Sequence, residues 1–304
     1  SILFLIFFLY QENKSDISYL IPSLGLFTAA AFKLLPNISR IVSGIQGIYG
    51  LSASIKVISN SLEIKEKKII EVSKREFKKE ISIKNLTYSY PGSSQKIFDR
   101  VNLKINKNDF VCIVGESGIG KTTLTDLITG LIEAESGEIL IDGENLKNIN
   151  KRSWHKNIGY VPQNIMLFNN SIKENISMSL NADEIDSSKI EKSLYYSELN
   201  SFVKEKKEGL DFIIDEKGKN LSMGQIQRIA IARGLYTDAE VLIFDEFTSS
   251  LDQETQRKIL LSLNNLIGKK TIILVSHSEN VISKANKIIK LSRDPSGKVE
   301  IILK

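Results

Sequence analysis

Cysteine is nearly absent from this chain, which contains one such residue, Cys112, among 304. A single cysteine excludes an intramolecular disulfide framework and a cysteine-based metal cluster. Because Cys112 stands in the apolar run FVCIVG, we expect a small buried strand residue there and not a reactive thiol. An excess of one charge is also lacking. The net charge is +5 and the basic residues are spread along the chain, so nucleic acid is not an indicated partner.

Two apolar runs stand near the N-terminal end. Residues 1–10, SILFLIFFLY, are continuously apolar but too short for a bilayer, which needs about 20 residues. This run begins with serine and lacks a charged leader, so we expect the sequence to be a piece of a longer protein that starts inside a membrane helix. Residues 17–36 form a second run that is long enough to span, and Lys33 near its end can extend to the interface.

A buried helix of a soluble domain is the alternative for residues 17–36, but the charge distribution favours a membrane helix. Arg40 and a series of lysines follow the run, whereas the loop 11–16 is close to neutral, as in a chain that enters the cytoplasm near residue 40. Apolar residues at helical spacing over 37–62 predict that the helix continues beyond the bilayer. The charged residues 63–80 are typical of a solvated linker.

From residue 81 onward, strand and helix patterns alternate. ISIKNLTYSY has the period of a strand, VLIFDE and TIILVS are short apolar runs typical of buried strands, and helical patterns such as QIQRIAIARGLY lie between them. This order predicts an α/β fold with a mostly parallel sheet flanked by helices. The final residues, around DPSG, predict a hairpin.

GESGIGKTT, residues 115–123, matches the phosphate-loop pattern G-x-x-x-x-G-K-[ST] between a predicted strand and a predicted helix. Its glycines allow successive backbone N–H groups to surround phosphate oxygens. Lys121 can reach the outer phosphates, and the Thr122 hydroxyl can hold Mg²⁺. The residues predicted to bind a nucleotide here are Gly115, Glu116, Ser117, Gly118, Ile119, Gly120, Lys121, Thr122 and Thr123.

Several polar residues follow the predicted strands of the same sheet. Asp245 and Glu246 end the strand VLIFDE, and we predict that Asp245 holds Mg²⁺ through its water shell while Glu246 acts as general base on the attacking water. His277 follows the strand TIILVS and is expected on the same rim, in contact with the terminal phosphate. Gln163, in GYVPQN, can reach Mg²⁺ or water; the alternative is an ordinary polar turn residue. His155 has no such placement, and we expect it at the surface.

A second candidate anion site lies in LSMGQIQR, residues 221–228. Gln225 follows Ser222 by three residues, which is the spacing of a capping box at a helix start. The free N–H groups and the dipole of such a start favour negative charge. The phosphate loop is elsewhere, so these residues by themselves leave open which anion this helix start binds.

Six motifs, GESGIGKTT, YVPQ, LSMGQ, VLIFDE, SSLD and VSH, resemble in order and spacing those of ATP-binding-cassette (ABC) ATPases, and the match covers residues 81–304. The resemblance implies an α/β P-loop NTPase with an antiparallel β subdomain and a helical signature subdomain, preceded by α-helical transmembrane segments. ATP and Mg²⁺ are the implied ligands, with Thr122, Gln163 and Asp245 around the metal. The phrases YSYPG, LFNNSIKENI and IDEKGKNLSMGQ are similar to exporters, although Asp215 stands where they usually have glycine.

The same resemblance implies which anion the second site binds. In ABC ATPases two domains meet head to tail and enclose two ATP molecules, and the signature helix of one domain holds the terminal phosphate of the ATP bound to the other. Ser222 and Gly224 would donate to that phosphate, and Gln225 would line the site. Asp252, in SSLD, would communicate across the interface.

Two further implications concern the base and the signature itself. Tyr90 would stack on adenine, with Tyr88 as the second candidate. Met223 stands where the family usually has glycine, which places a bulky side chain at the seam between the two domains and puts the turnover rate in question. Glu246 and His277 are both present, so we expect an active ATPase.

Together these observations predict a subunit of a membrane exporter. Residues 1–62 would be the C-terminal remnant of a transmembrane domain, 63–80 a linker and 81–304 the nucleotide-binding domain. TAAAFKLLPNISRIVSGIQGI resembles the end of the last membrane helix of flippases for lipid-linked oligosaccharides. The expected partners are therefore the bilayer of the inner (plasma) membrane, a lipid-linked or otherwise amphipathic cargo, and a second copy of the chain.

Two alternatives remain open at this point. A soluble cassette ATPase acting on nucleic acid or ribosomes would need a second cassette or a coiled-coil insertion, and this sequence contains neither. A general P-loop nucleotidase or kinase would have no use for LSMGQ. The identity of the cargo is not readable from these residues, since cargo is selected in the part of the membrane domain that precedes residue 1 in such a protein.

Overall fold

The computed structural model describes residues 20–62, 72–93, 95–247, 251–276, 282–294 and 299–303. These residues belong to two compact units that divide between residues 71 and 72. In the first unit, helix α1 (Leu20–Leu62) runs continuously through Pro36, so the predicted continuation of the helix over 37–62 is confirmed. Among the described residues, none of the helices combines the length and the apolar stretch that a bilayer crossing requires. The predicted membrane segment 1–10 and the loop 11–16 lie outside the described residues.

The second unit begins with a four-stranded antiparallel sheet. Its strands are β1 (Glu80–Ser89), β2 (Lys96–Asn106), β4 (Ser136–Ile141) and β5 (Glu144–Asn145), in the order β2-β1-β4-β5. Ile81 of β1 pairs with Ile105 on one side and with Ile141 on the other. Since side chains alternate along a strand, this register places apolar residues of three strands on the same buried face.

A six-stranded sheet forms the centre of the second unit. Its strands are β3 (Phe110–Val114), β6 (Ile158–Val161), β7 (Val241–Asp245), β8 (Thr271–Val275), β9 (Lys287–Arg293) and β10 (Val299–Leu303). Their order is β10-β9-β3-β8-β7-β6, and all neighbours are parallel except β10 and β9. β7 and β8 are buried along their whole length, as expected for parallel strands with apolar cores on both faces. The carboxyl ends of β3, β6, β7 and β8 therefore meet at one edge.

Helices cover this sheet and form a subdomain of their own. Helix α2 (Lys121–Thr129) packs on one face, and α7 (Met223–Tyr236) and α8 (Gln253–Asn264) pack on the other. Further α-helices of the described residues are α3 (Lys151–His155), α4 (Ile172–Ser177), α5 (Ser187–Tyr196) and α6 (Asn200–Glu205). α4, α5, α6 and part of α7 share a third apolar core, which makes them a helical subdomain.

The α/β fold with an antiparallel β subdomain and a helical subdomain is thus confirmed from residue 80 onward. Cys112 is fully buried on β3, and burial raises the pKa of its thiol to about 11, so it is not a reactive nucleophile at neutral pH. His155 is exposed, as predicted. β9 and β10 form the expected antiparallel pair, while residues 295–298 of its turn lie outside the described part of the chain.

Candidate functional site

The phosphate loop connects the end of β3 to the start of α2. Its last residue, Gly120, is the N-cap of α2 and has a φ of 112°, and no side chain caps the helix. The first N–H groups of α2 are therefore left for another acceptor, which favours an anion. Gly115 is required for a steric reason, because a Cβ at this position would lie 2.7 Å from the carbonyl oxygen of Leu291.

Lys121 folds back over this loop. Its Nζ donates to the carbonyl oxygens of Gly115 and Glu116, both at 2.9 Å, and its side chain is largely buried. Burial lowers the pKa of Lys121, and the carboxylates of Glu246 and Asp245 oppose that shift. The Lys121 ammonium group is thus held at the phosphate loop, where the sequence predicts that the outer phosphates of a nucleotide bind.

Asp245 and Thr122 meet at the edge where β7 ends and α2 begins. The Thr122 hydroxyl donates to Oδ2 of Asp245 at 2.8 Å. Asp245 is 1% exposed, and burial raises the pKa of its carboxyl, while the Thr122 hydrogen bond opposes this shift. Oδ1 of Asp245 is buried and receives no well-formed hydrogen bond from the described residues. A buried carboxylate oxygen without a well-formed hydrogen bond, beside a hydroxyl, suits an oxygen-seeking cation such as Mg²⁺.

Tyr160, on β6, is a neighbour of Asp245 that sequence reasoning missed. It pairs with Ile243, two residues before Asp245, so the two side chains lie on the same face of the sheet. The Tyr160 hydroxyl interacts with the carboxylate of Asp245 and with Thr125, and burial raises the pKa of Tyr160 to about 12. The signal was the tyrosine of YVPQ, which becomes informative only once β6 and β7 are known to be adjacent.

Glu246 and Gln163 come together across the ends of β7 and β6. Gln163 Nε2 donates to Glu246 Oε2 at 2.7 Å. The backbone of Glu246 has a φ of 49°, in the left-handed region, and its N–H donates to the carbonyl of Val275 at the end of β8. The turn and the amide hydrogen bond thus fix the backbone at Glu246, and the Gln163 side chain orients the carboxylate that the sequence predicts as general base.

His277 lies outside the described residues, as do Ser249 and Ser250 of the SSLD motif. Its predicted contact with the terminal phosphate therefore stays a prediction. The residue before it, Ser276, follows β8, which pairs with β7. Asp252 is described, and its carboxylate caps α8 by accepting from the N–H of Thr255 at 2.9 Å.

LSMGQ forms the start of α7 and contains the predicted capping box. The Ser222 hydroxyl accepts from the N–H of Gln225 at 3.2 Å, and the side-chain oxygen of Gln225 accepts from the N–H of Ser222 at 2.8 Å. Ser222 is exposed, and Met223 is 60% exposed. Among the described residues, no hydrogen bond or ion pair joins Ser222, Gly224 or Gln225 to the phosphate loop. The signature helix of one chain thus leaves its N-terminus open.

Arg228, which the sequence did not single out, supports this helix start from behind. Its guanidinium donates to the carbonyl of Gly224 at 3.3 Å and to the carbonyl of Glu198 at 2.8 Å. Burial lowers the pKa of Arg228, and the carboxylate of Asp252 opposes that shift. An arginine four residues after a helix start faces the same side as that start, which was the available signal.

Tyr90 approaches the phosphate-loop helix from the loop after β1. Its hydroxyl is 2.8 Å from Oγ1 of Thr123. Tyr88 contacts Tyr90 edge to face, with ring centroids 5.3 Å apart. Tyr88 is 6% exposed and Tyr90 is 47% exposed, so only Tyr90 offers a ring face to a ligand. Of the two candidates for base stacking, the geometry favours Tyr90.

This chain is similar to a known protein family and to several of its members. A family model described as ABC transporter matches residues 98–249. An ATP-dependent lipid A-core flippase of Desulfotalea psychrophila (strain LSv54 / DSM 12343) is 35% identical over 266 residues, which cover 86% of this chain and 45% of the flippase. The protein of the same description from Escherichia coli (strain K12) is 37% identical over 210 residues, which cover 69% of this chain and 36% of the relative.

A solved structure of a bacterial Atm1-family ABC exporter with ATP bound is also similar. The TM-score is 0.71 with 26% sequence identity, and the match covers 84% of this chain and 43% of that one. The chain thus spans less than half of the length of each of these three relatives.

Proposed function

The chain belongs to the ABC transporter family, and from this premise we propose that it binds and hydrolyses ATP as the motor part of a membrane exporter. Residues 81–304 are the proposed nucleotide-binding domain, residues 63–80 the linker, and residues 1–62 the end of a transmembrane domain. The observation that carries the proposal is the single rim on which Thr122 meets Asp245 and Gln163 meets Glu246, beside the phosphate loop.

In the proposed mechanism, the phosphate loop and Lys121 hold the phosphates of ATP. To receive them, the Lys121 ammonium exchanges its present acceptors, the carbonyls of Gly115 and Glu116, for phosphate oxygens. Glu246 accepts the proton of the attacking water, and Gln163 keeps its carboxylate oriented through the 2.7 Å hydrogen bond. His277 is proposed to contact the terminal phosphate, on the grounds of its position after β8.

The residues proposed to hold Mg²⁺ are Thr122, Asp245 and Gln163. They supply a hydroxyl, a carboxylate and an amide oxygen, which are ligands that this cation prefers. The buried Oδ1 of Asp245, which lacks a well-formed hydrogen bond among the described residues, supports the assignment. When bound, Mg²⁺ would neutralise charge on the outer phosphates.

A second copy of the chain is the proposed partner that completes the site. Ser222, Gly224 and Gln225 stand at an uncovered helix start that makes no hydrogen bond to its own phosphate loop among the described residues. In a head-to-tail dimer this helix start would donate to the terminal phosphate of the ATP bound by the other copy. Asp252, which caps the adjacent α8 and attracts Arg228, would transmit the contact.

For the cargo, we propose a lipid-linked or otherwise amphipathic molecule moved across the inner membrane. Two kinds of observation support this: the relatives described as lipid A-core flippases, and the sequence of residues 28–48 at the end of the predicted membrane domain. The ATPase would couple closure and reopening of the dimer to movement of the membrane helices.

Substitution of Glu246 by Gln tests the proposed reaction. The variant keeps the shape of the side chain but cannot accept a proton, so we expect ATP affinity to be retained and turnover to fall by about 10²–10⁴-fold. Calorimetric titration with ATP measures the affinity, and phosphate release measures the turnover. Glu191→Gln, at an exposed position of α5, is the matched control and should leave both unchanged. Undiminished hydrolysis in Glu246→Gln would remove Glu246 from its role.

A further inference from the structure

The hydroxyl groups of Tyr90 and Thr123 form a contact that the proposed mechanism does not use. They lie 2.8 Å apart, which is hydrogen-bonding distance for two hydroxyls. Thr123 is 4% exposed, so its hydroxyl cannot turn to water if the partner is removed. The bond therefore connects the end of the loop after β1 with the first turn of α2.

This contact holds the Tyr90 ring at a second point. Tyr88 supports one side of the ring by an edge-to-face contact at an interplanar angle of 78°, and Thr123 fixes the hydroxyl end. Tyr90 is nonetheless 47% exposed, and it lines a cleft of about 560 Å³ whose wall also includes Ser89, Pro91 and Ile132. An aromatic ring held at its edge and at its tip, with a free face, is pre-organised for stacking.

We propose that the Thr123–Tyr90 hydroxyl pair holds the stacking ring at a fixed place relative to the phosphate loop. The site therefore binds a nucleotide, which carries a base, more tightly than an inorganic phosphate chain without one. The inference rests on the proposed function, since the base is that of the bound nucleotide. Thr123 is then a positioning residue, although it belongs to the phosphate-loop motif. Thr122, one residue earlier, is exposed and bonded to Asp245, so the two adjacent threonines serve the metal end and the base end of the site separately.

A double-mutant cycle on the full chain tests the proposal, with ATP and inorganic tripolyphosphate as probes. Thr123→Val and Tyr90→Phe each remove one hydroxyl and retain the shape of the side chain. Each should weaken ATP binding about three- to tenfold, the usual effect of one hydrogen bond. The double variant should lie within about twofold of the single variants, because both delete the same bond. In Tyr90→Phe the affinity for tripolyphosphate should stay within about twofold of the wild type, since this probe has no base to stack.

Thr129→Val is the matched control, because Thr129 is also buried on α2 and its hydroxyl donates to the carbonyl of Asp126 within the same helix. It should retain the affinity for both probes. Equal loss of ATP and tripolyphosphate binding in Thr123→Val would overturn the inference in favour of a direct phosphate contact, and so would additive losses in the double variant. A wild-type chain that binds tripolyphosphate no less tightly than ATP would also overturn it. If the wild type bound neither probe, the proposed function itself would fail.

Discussion

Asp245 shows, at the scale of one residue, how a site suited to a cation reduces the stability of the folded chain. The carboxylate is buried at the end of β7; its Oδ2 accepts from Thr122, and its Oδ1 has no well-formed hydrogen bond among the described residues. An unmet buried acceptor is unfavourable, and a buried charge more so. A ligand that supplies the missing partner removes this unfavourable free energy. Strained and unsatisfied groups therefore gather at functional sites.

Asp245→Asn should therefore stabilise the chain when nucleotide and metal are absent. The substitution removes the buried charge and retains an acceptor for Thr122, so we expect an increase in melting temperature of about 2–4 °C, corresponding to about 1 kcal/mol. Differential scanning calorimetry in chelator, without nucleotide, measures it. Asp183→Asn, at an exposed turn, is the control and should leave the melting temperature unchanged.

The stabilisation should depend on pH in a defined direction. Burial raises the pKa of Asp245 in the folded chain above its unfolded value, so the folded state favours the protonated acid. The charge of Asp245 thus costs nothing below the unfolded pKa, about 4, and costs more as pH rises through the folded value. The difference between Asp245→Asn and the wild type should be largest near neutral pH and should vanish in acid. A difference that grew in acid would contradict this account.

At the scale of elements, two helices in the described part of the chain begin with a capping box, and they serve as controls for each other. Ser222 and Gln225 start α7, while Ser171 and Glu174 start α4. Ser171 is buried and also donates to Glu174, whereas Ser222 is exposed and keeps its own proton available. The Ser171 cap therefore only stabilises its helix, whereas the Ser222 hydroxyl can in addition donate a hydrogen bond to a ligand.

Replacement of each capping serine by alanine should separate these two effects. Both variants lose a cap and should lose about 1 kcal/mol in free energy of unfolding, with Ser171→Ala affected at least as much as Ser222→Ala. Only Ser222→Ala should also lose turnover, by about tenfold or more, since it removes a donor to the terminal phosphate. Thermal melts and phosphate release at saturating ATP measure the two quantities. Equal turnover in both variants would remove Ser222 from the site.

Elements differ in how well the sequence predicts them. The runs VLIFDE and TIILVS are short but almost continuously apolar, and QIQRIAIARGLY is long with a helical pattern; they form β7, β8 and α7 as predicted. The elements β4, β6 and α6 were not identified, because SGEILI, IGYV and NSFVKE are neither continuously apolar nor long enough to show a strand or helix period. They form because neighbouring strands and the core of the helical subdomain supply partners.

At the scale of the whole molecule, the proposed site is split between two copies. In the proposed dimer, the phosphate loop, Asp245 and Glu246 would belong to one chain, and the helix start at Ser222 would belong to the other. A chain with a defective phosphate loop should then regain activity when it pairs with a chain whose signature helix is defective. Such rescue is expected if two chains share each site, but not if each chain forms a complete site alone.

Mixing Lys121→Ala with Ser222→Ala chains tests this. Each variant alone should be nearly inactive, but a mixed dimer contains one site built from an intact phosphate loop and an intact signature helix. Random pairing of equal amounts gives half mixed dimers with one intact site of two, so activity should recover to about a quarter of the wild type. Phosphate release from the mixture, compared with each variant alone, measures it. A mixture that remained inactive would indicate that each chain completes its own site.

The sequence by itself determined the family, the phosphate loop, the acidic strand end and the capping box, because each depends on residues close together in the chain whose spacing dictates local geometry. Only the tertiary structure decided which of these groups meet. The contacts Thr122–Asp245, Gln163–Glu246 and Tyr90–Thr123 each join residues far apart in sequence. Such contacts follow from strand order and register, which are set by packing of the cores across the entire domain.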